Sequence, residues 1–308
     1  GKPFFKEEFG VEMDYLWLPD VFGYTASLPQ ILKLAGVDYF MTMKLSWSLI
    51  NKFPHHSFRW QGIDGSQILA HMLPEDNYNS PAAPRSLVKI ETEYLDSDVS
   101  DQAMMCFGIG DGGGGPGAEH LESLRRIKDL AGLPPVQQEQ AATFFPRWAK
   151  DADSFATWVG ELYLERHQGT FTTHARIKWY NRRLEQALRE LEWTAAYANI
   201  VAGKAYPRKA LLKMWQRILF FQFHDILPGS SIKRVYDECK ADYAEMLADI
   251  GKRLEQARTA IARKLDTRDC AKPFMVSNSL SWSRTEWVKL GRRWTQVSVP
   301  ALSFSVVG

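Results

Sequence analysis

Apolar positions in the first part of the chain switch between strand-like runs and helical spacing. A short apolar run at Tyr15–Leu18 predicts a strand, and apolar residues within 28–35 recur at helical spacing before Gly36 ends the pattern. Residues 37–42 form a second apolar run and predict the next strand. Because a strand, a helix and a strand at this spacing form a βαβ unit, we expect a parallel sheet.

Two further apolar runs extend this prediction. Residues 67–73 predict another strand, and residues 103–107 predict a buried strand that leads into the glycine-rich stretch 108–117. A helix is expected from about Ala118 to Leu130. The alternation of strands and helices predicts an α/β catalytic domain over residues 1–172.

The pattern changes near residue 173, where glycines become rare and charged faces appear. Three long helices are predicted, over 174–201, 209–223 and 231–265, and together they predict a helical bundle domain over 173–268. The aromatic residues of 220–223 surround the end of the second helix, so we expect that end to be buried on more than one side.

The last forty residues are rich in strand-forming patterns. Short apolar runs at 274–276 and 286–288 flank a polar turn. They predict the start of a β-sandwich domain over 269–308. We expect this domain to be incomplete, because the chain stops before such a domain could close.

Composition and charge narrow the function classes. The chain is 45% hydrophobic and 24% charged, as in globular proteins, and its net charge of +2 predicts neither a nucleic-acid nor a membrane partner. No apolar run is long enough to span a bilayer. Three widely spaced cysteines without a C-x-x-C motif indicate neither a zinc ribbon nor a disulfide framework, and they favour a reducing, cytoplasmic compartment.

Two aspartates are the candidate catalytic groups. Asp20 and Asp111 each follow a predicted strand, at the edge of the sheet where α/β proteins place their sites. A pair of carboxylates suits glycoside cleavage, in which one acts as nucleophile or base and the other protonates the leaving oxygen. A divalent metal held by Asp20 and His224 would also suit an oxygen-rich substrate. The structural alternative is that both acids only cap turns or helices.

The glycine-rich stretch supports a competing interpretation. Gly108, Gly110 and Gly113 satisfy the G-x-G-x-x-G pattern of an NAD-binding oxidoreductase, although the charge of Asp111 inside the turn would oppose a pyrophosphate. Alternatively, the glycines let the backbone approach a ligand closely and leave Asp111 to project into the cleft. A metal-dependent deacetylase-type hydrolase and an inactive fragment are further alternatives.

Three motifs, in this order, resemble glycoside hydrolase family 38, the α-mannosidases. They are residues 17–24 (WLPDVFGY), 110–115 (GDGGGG) and 223–231 (FHDILPGSS), and their form resembles the bacterial and cytosolic branch of the family. Residues 161–170 and 277–282 extend the similarity along nearly the whole chain.

The resemblance implies a retaining, zinc-dependent exo-α-mannosidase on an incomplete parallel α/β-barrel-like catalytic domain. Asp20 would be both the nucleophile and a zinc ligand, Asp111 the acid/base, and His224 a second zinc ligand. The substrate would be an α-mannoside oligosaccharide, bound by Phe22, Tyr78, Asn79 and Asp225. The linkage, the natural glycan and the choice between monomer and homo-oligomer are left open.

One departure from the family pattern concerns the metal. The family carries an N-terminal His-x-His-x-Asp segment that supplies two further zinc ligands, and this sequence contains no such segment. We therefore expect an N-terminally truncated fragment with two of four zinc ligands, which alone binds zinc weakly and hydrolyses little.

Overall fold

The computed structural model describes all 308 residues. The chain divides into two compact units, Gly1–Gln168 and Gly169–Gly308. The strands near the end of the chain belong to the same unit as the three long helices.

The first unit alternates strands and helices. Its elements are α1 (Lys2–Phe9), β1 (Tyr15–Trp17), α2 (Leu28–Leu34), β2 (Tyr39–Thr42), β3 (Ser57–Gln61), β4 (Gln67–Met72), α3 (Pro84–Glu93), α4 (Ala118–Ile127), α5 (Ala141–Trp148) and β5 (Thr157–Val159). Short 3-10 turns cover Lys44–Trp47 and Ala149–Ser154. The helices predicted after β1 and after the glycine-rich stretch are confirmed as α2 and α4.

The strands form one mixed sheet in the order β1-β2-β4-β3-β5. β1, β2 and β4 are parallel, which confirms the predicted βαβ unit and the α/β class. The sequence did not predict β3, which pairs antiparallel with β4 and parallel with β5. The β3–β4 hairpin turns through Gly65, whose φ of 86° suits a residue without a Cβ.

Both faces of the sheet are buried, which explains the continuous apolar runs of its parallel strands. Successive residues of a strand point to opposite faces. Phe40 of β2 packs with Trp60 and Tyr24 on one face, and Met41 packs with Phe145 and Trp148 on the other.

The prediction of a strand over residues 103–107 is wrong. The structure shows an extended segment in which only Phe107 forms an isolated parallel bridge, to Ser80. The backbone N–H of Met104 donates instead to Nε2 of the buried His71 at 3.1 Å. The His71 side chain thus accepts a hydrogen bond from a backbone N–H that would pair with a neighbouring strand in a sheet. An apolar run in the sequence does not show which of these two partners the N–H has.

The second unit begins with the predicted three-helix bundle, formed by α6 (Ala175–Ala202), α7 (Arg208–Phe221) and α8 (Lys233–Ala262). Their apolar faces share one core. The expectation that the aromatic end of α7 is buried on several sides is wrong. Phe221 is 3% exposed, but Phe220 and Phe223 are 60% and 52% exposed.

Four strands follow the helices in the second unit. They are β6 (Phe274–Asn278), β7 (Arg284–Leu290), β8 (Arg293–Val299) and β9 (Ser303–Val307). β6 pairs antiparallel with β9, and β7 with β8. Phe304 of β9 stacks on Trp193 of α6, with ring centroids 4.9 Å apart, and so joins the strands to the bundle. Across the chain, the helices lack the combination of length and apolar character that a membrane span requires.

Candidate functional site

The turn that carries Asp20 is held against the carboxyl end of β2 by a buried tyrosine. The hydroxyl of Tyr24 donates to the carbonyl of Leu18 and accepts from Oγ1 of Thr42, both at 2.7 Å. Burial raises the pKa of Tyr24 above its usual value, so this hydroxyl keeps its proton and remains a donor. Asp20 therefore lies at the edge where the parallel strands β1 and β2 end.

A buried lysine faces Asp20. The Nζ of Lys44 lies 2.8 Å from Oδ1 of Asp20, and the two side chains are 6% and 21% exposed. The same ammonium lies 3.3 Å from the ring centroid of Trp47. A charge this buried is costly unless it is paired, so the carboxylate and the aromatic ring together compensate Lys44. Sequence reasoning missed Lys44, because a lysine two residues after a strand is usually exposed.

The hydroxyl of Tyr78 faces both candidate catalytic acids. It donates to Oδ1 of Asp111 at 3.2 Å. Partial burial, followed by the charges of Asp20 and Asp111, raises the pKa of Tyr78 to about 12. The structure thus brings three of the predicted site residues together, with a protonated hydroxyl facing two carboxylates.

Gly110 lets the loop that carries Asp111 approach Tyr78 and Asn79. A Cβ at Gly110 would lie 2.0 Å from Oδ1 of Asn79 and 2.6 Å from Cε2 of Tyr78, closer than real Cβ contacts. Oδ1 of Asn79 is buried without a hydrogen-bond partner, so it is an acceptor that a bound ligand could satisfy. Gly110 therefore allows close approach of the loop to protein side chains, and the expected close approach to a ligand stays a prediction.

The alternative dinucleotide interpretation needs a helix N-terminus directly after the glycines. The left-handed turn of the stretch is at Gly113, and α4 begins only at Ala118, after Pro116. The segment before Gly108 is not a regular strand either. The strand–turn–helix context of that fingerprint is therefore not present.

Phe22 lies two residues after Asp20 and contacts His167. Their ring centroids are 4.8 Å apart at an interplanar angle of 61°. His167 also approaches Trp47, at 6.1 Å between centroids. The aromatic side chains near Asp20 therefore include a histidine that sequence reasoning did not select.

The second unit carries the other two predicted site residues. His224 and Asp225 follow the end of α7, and Nε2 of His224 lies 3.6 Å from Oδ2 of Asp225. The hydroxyl of Ser230 donates to Oδ1 of Asp225 at 3.1 Å. The hydroxyl of Tyr236 donates to the backbone carbonyl of Asp225, also at 3.1 Å. Hydrogen bonds therefore orient both the carboxylate and the backbone of Asp225.

Lys178 of α6 braces the same turn. Its ammonium donates to the carbonyls of Thr173, Leu227 and Pro228 at 2.6, 2.8 and 3.3 Å. All three ammonium protons are thereby used on backbone carbonyls, and two of these carbonyls follow Asp225 closely in the chain.

The residues of this chain do not fit a complete zinc site. A catalytic zinc site uses three protein ligands. The structure contains no group of three or more His, Cys, Asp and Glu side chains that could hold a metal ion.

Comparison with family models gives two matches along the chain. The model for the N-terminal domain of glycosyl hydrolases family 38 matches residues 1–161. The model for the α-mannosidase middle domain matches residues 165–261.

Several similar proteins are named as α-mannosidases. Alpha-mannosidase 2C1 of Mus musculus is 37% identical over 99% of this chain, which covers 30% of that protein. Alpha-mannosidase G of Dictyostelium discoideum is 40% identical over 86% of this chain and 24% of its own length. The α-mannosidase of Saccharomyces cerevisiae is 36% identical over 94% and 27%. The chain thus spans less than a third of the length of these relatives.

A solved structure shares the fold. The crystal structure of an α-mannosidase from Enterococcus faecalis V583 superimposes with a TM-score of 0.74 at 18% identity, over 92% of this chain and 34% of that one.

Proposed function

The chain belongs to glycoside hydrolase family 38, and we propose that it carries catalytic residues of a retaining exo-α-mannosidase acting on oligosaccharides with terminal α-linked mannose. The observation that carries the proposal is the position of the Tyr78 hydroxyl, which donates to Asp111 and interacts with Asp20. Two carboxylates near one hydroxyl are the pair that a retaining glycosidase uses, one as the nucleophile and the other as the acid/base.

In the first step, a carboxylate oxygen of Asp20 attacks the anomeric carbon. Asp111, as the carboxylic acid, gives its proton to the leaving glycosidic oxygen as the carbon–oxygen bond breaks. The products are a covalent mannosyl ester of Asp20 and the free alcohol. Tyr78 keeps its hydroxyl proton because its pKa is about 12, so it acts as a hydrogen-bond donor and not as the acid.

In the second step, Asp111 acts as the base. It takes a proton from water, the water oxygen attacks the anomeric carbon, and the ester bond to Asp20 breaks. Mannose leaves with retained configuration, and both side chains return to their starting protonation. The ammonium of Lys44 compensates the charge that Asp20 regains.

The remaining predicted residues would bind the sugar. Phe22 offers an apolar face, and Oδ1 of Asn79 offers a buried acceptor for a hydroxyl. Asp225 belongs to the second unit, and its role as an acceptor of hydrogen bonds from sugar hydroxyls rests on the family resemblance alone. Zinc stays an expectation of the family resemblance, and none of the proposed steps passes through it.

The test separates the two acids by their chemistry. Asp111→Asn should lose turnover of an alkyl α-mannoside but still form the covalent intermediate from an aryl α-mannoside with a good leaving group, and azide should rescue its turnover. Asp20→Ala should lose both reactions, without rescue to a retained product. Asp101→Asn, an exposed acid outside the site, is the matched control.

Product stereochemistry gives an independent readout. Proton NMR of the first turnovers should show α-mannose before mutarotation. A β-anomer as first product, or normal turnover by Asp20→Ala, would contradict the assignment.

A further inference from the structure

His167 adopts a backbone conformation that a residue with a Cβ rarely takes. Its φ is 59°, in the left-handed region. This conformation is unfavourable for L-residues, and it persists where surrounding contacts over-determine it, frequently at functional sites. His167 lies just after the buried pair Leu162 and Leu164, which pack in the same core as Tyr24.

Two aromatic neighbours of the imidazole are linked to Asp20. Phe22, two residues after Asp20, contacts one side of the ring at 4.8 Å between centroids. Trp47 lies 6.1 Å away, and its own ring carries the ammonium of Lys44, the ion-pair partner of Asp20. The imidazole thus lies near two aromatic side chains, one two residues from Asp20 in the chain and the other beside the lysine that pairs with Asp20.

The protonation state of this ring suits a neutral ligand. Burial, together with the positive charges of Arg166 and Lys44, lowers the pKa of His167, while Asp20 acts weakly in the opposite direction. A neutral imidazole has one N–H donor and one nitrogen acceptor, and a sugar hydroxyl can hydrogen-bond to either kind of nitrogen.

We propose that His167 is a substrate-contacting residue, which is held in the left-handed conformation so that its imidazole hydrogen-bonds a hydroxyl of the sugar bound at Asp20. The inference rests on the proposed function, because the ligand is the same α-mannoside. The proposal adds His167 to the residues that select the sugar. This contact requires no charge on the imidazole.

His167→Gly tests the inference because strain and function predict opposite effects. Glycine adopts positive φ freely, so the thermal unfolding temperature should stay unchanged or rise by about 2–4 °C. The value of kcat/KM for an aryl α-mannoside should fall about tenfold, as expected when one hydrogen bond and a ring contact to substrate are lost. His167→Asn, which tolerates the left-handed region and keeps a donor and an acceptor, should recover part of that loss.

Leu302→Gly is the matched control. Leu302 has a φ of 48° and lies in the turn before β9, outside the site. Relief of strain there should leave kcat/KM unchanged. If His167→Gly lowers the unfolding temperature and kcat/KM together, or leaves kcat/KM within twofold of the parent, the inference is overturned.

Binding distinguishes this inference from the proposed function. If the parent protein shows no hydrolysis, saturation-transfer NMR with free mannose still reports on the site. A contact that His167→Gly removes and Leu302→Gly retains would support the role of His167 while the hydrolytic function fails. Absence of both turnover and mannose contact would overturn both.

Discussion

Lys44→Met removes the ammonium from Asp20 while keeping a side chain of similar length. Methionine fills the space between Asp20 and Trp47 without a charge, so the change isolates the ion pair from packing. We expect the first unit to lose stability, because the largely buried Asp20 carboxylate loses the ammonium that pairs with it.

The magnitude follows from the geometry of the pair. At 2.8 Å and an effective dielectric constant near 20, the Coulomb energy of two unit charges is about 6 kcal/mol. Desolvation offsets much of this, and removal of one partner from a buried pair costs about 3–5 kcal/mol. Because 21% of the Asp20 side chain is exposed and can gain water, we expect a loss of about 2–3 kcal/mol.

The assay is a double-mutant cycle with Asp20→Asn, measured by urea unfolding at pH 7. Since the chain has two units, the transition analysed is that of the first unit, followed through tryptophan fluorescence. The coupling energy should be about 1.5–3 kcal/mol, so the double variant should be more stable than the sum of the single losses predicts. Lys52→Met, an exposed lysine nearby in the chain, is the control. A coupling below about 0.5 kcal/mol would refute the reasoning and show that Lys44 acts through packing alone.

Three further predictions concern the supports of the site. Burial lowers the pKa of His71 to about 3 in the folded chain, whereas the unfolded chain takes up this proton near pH 6.5. The free energy of unfolding should therefore decrease as the pH falls below 6.5, by at most about 1.4 kcal/mol per pH unit. His71→Gln should flatten this pH dependence in urea titrations. Gly110→Ala should lower kcat/KM at least about tenfold, because its Cβ would displace the side chains of Tyr78 and Asn79. Gly115→Ala is the control, since its Cβ would meet nothing within 4 Å. Equal kcat/KM values for the two variants would contradict a need for close approach at Gly110. Lys178→Met should speed amide hydrogen exchange in residues 223–231, measured by mass spectrometry, and unchanged exchange there would show that the three carbonyl bonds do not hold the turn.

The spacing of apolar residues predicted the helices and strands that have a clear apolar pattern of their own. The first βαβ unit and the three long helices follow from apolar runs and helical spacing that tertiary contacts reinforce. β3 also carries a signal, because Phe58 and Trp60 alternate with polar residues, but the strand lies within a polar, aromatic stretch that obscures it. The segment 103–107 has the apolar character of a strand, yet the backbone of Met104 is satisfied by His71, a partner more than thirty residues away.

Some residues of the candidate site could likewise be predicted from the sequence, and others could not. Asp20 and Asp111 could be selected because they lie in motifs that resemble a family, and Tyr78 and Asn79 because the resemblance implies them. Within the first unit these residues lie near the hydroxyl of Tyr78 and near Gly110. Lys44 could not be selected from its own surroundings, since a lysine after a strand is usually exposed. Its role depends on contacts with side chains that only the folded sheet edge assembles.

The short edge strand β1 has a consequence for the behaviour of the protein in solution. β1 has a neighbouring strand on one side only, and an unpaired edge is a template for association with another chain. It is three residues long, and Pro19 follows closely, without an N–H to extend a ladder. The proline that precedes the candidate nucleophile therefore also acts against aggregation. A Pro19→Ala variant should accordingly show more self-association in light scattering at high concentration than the parent protein.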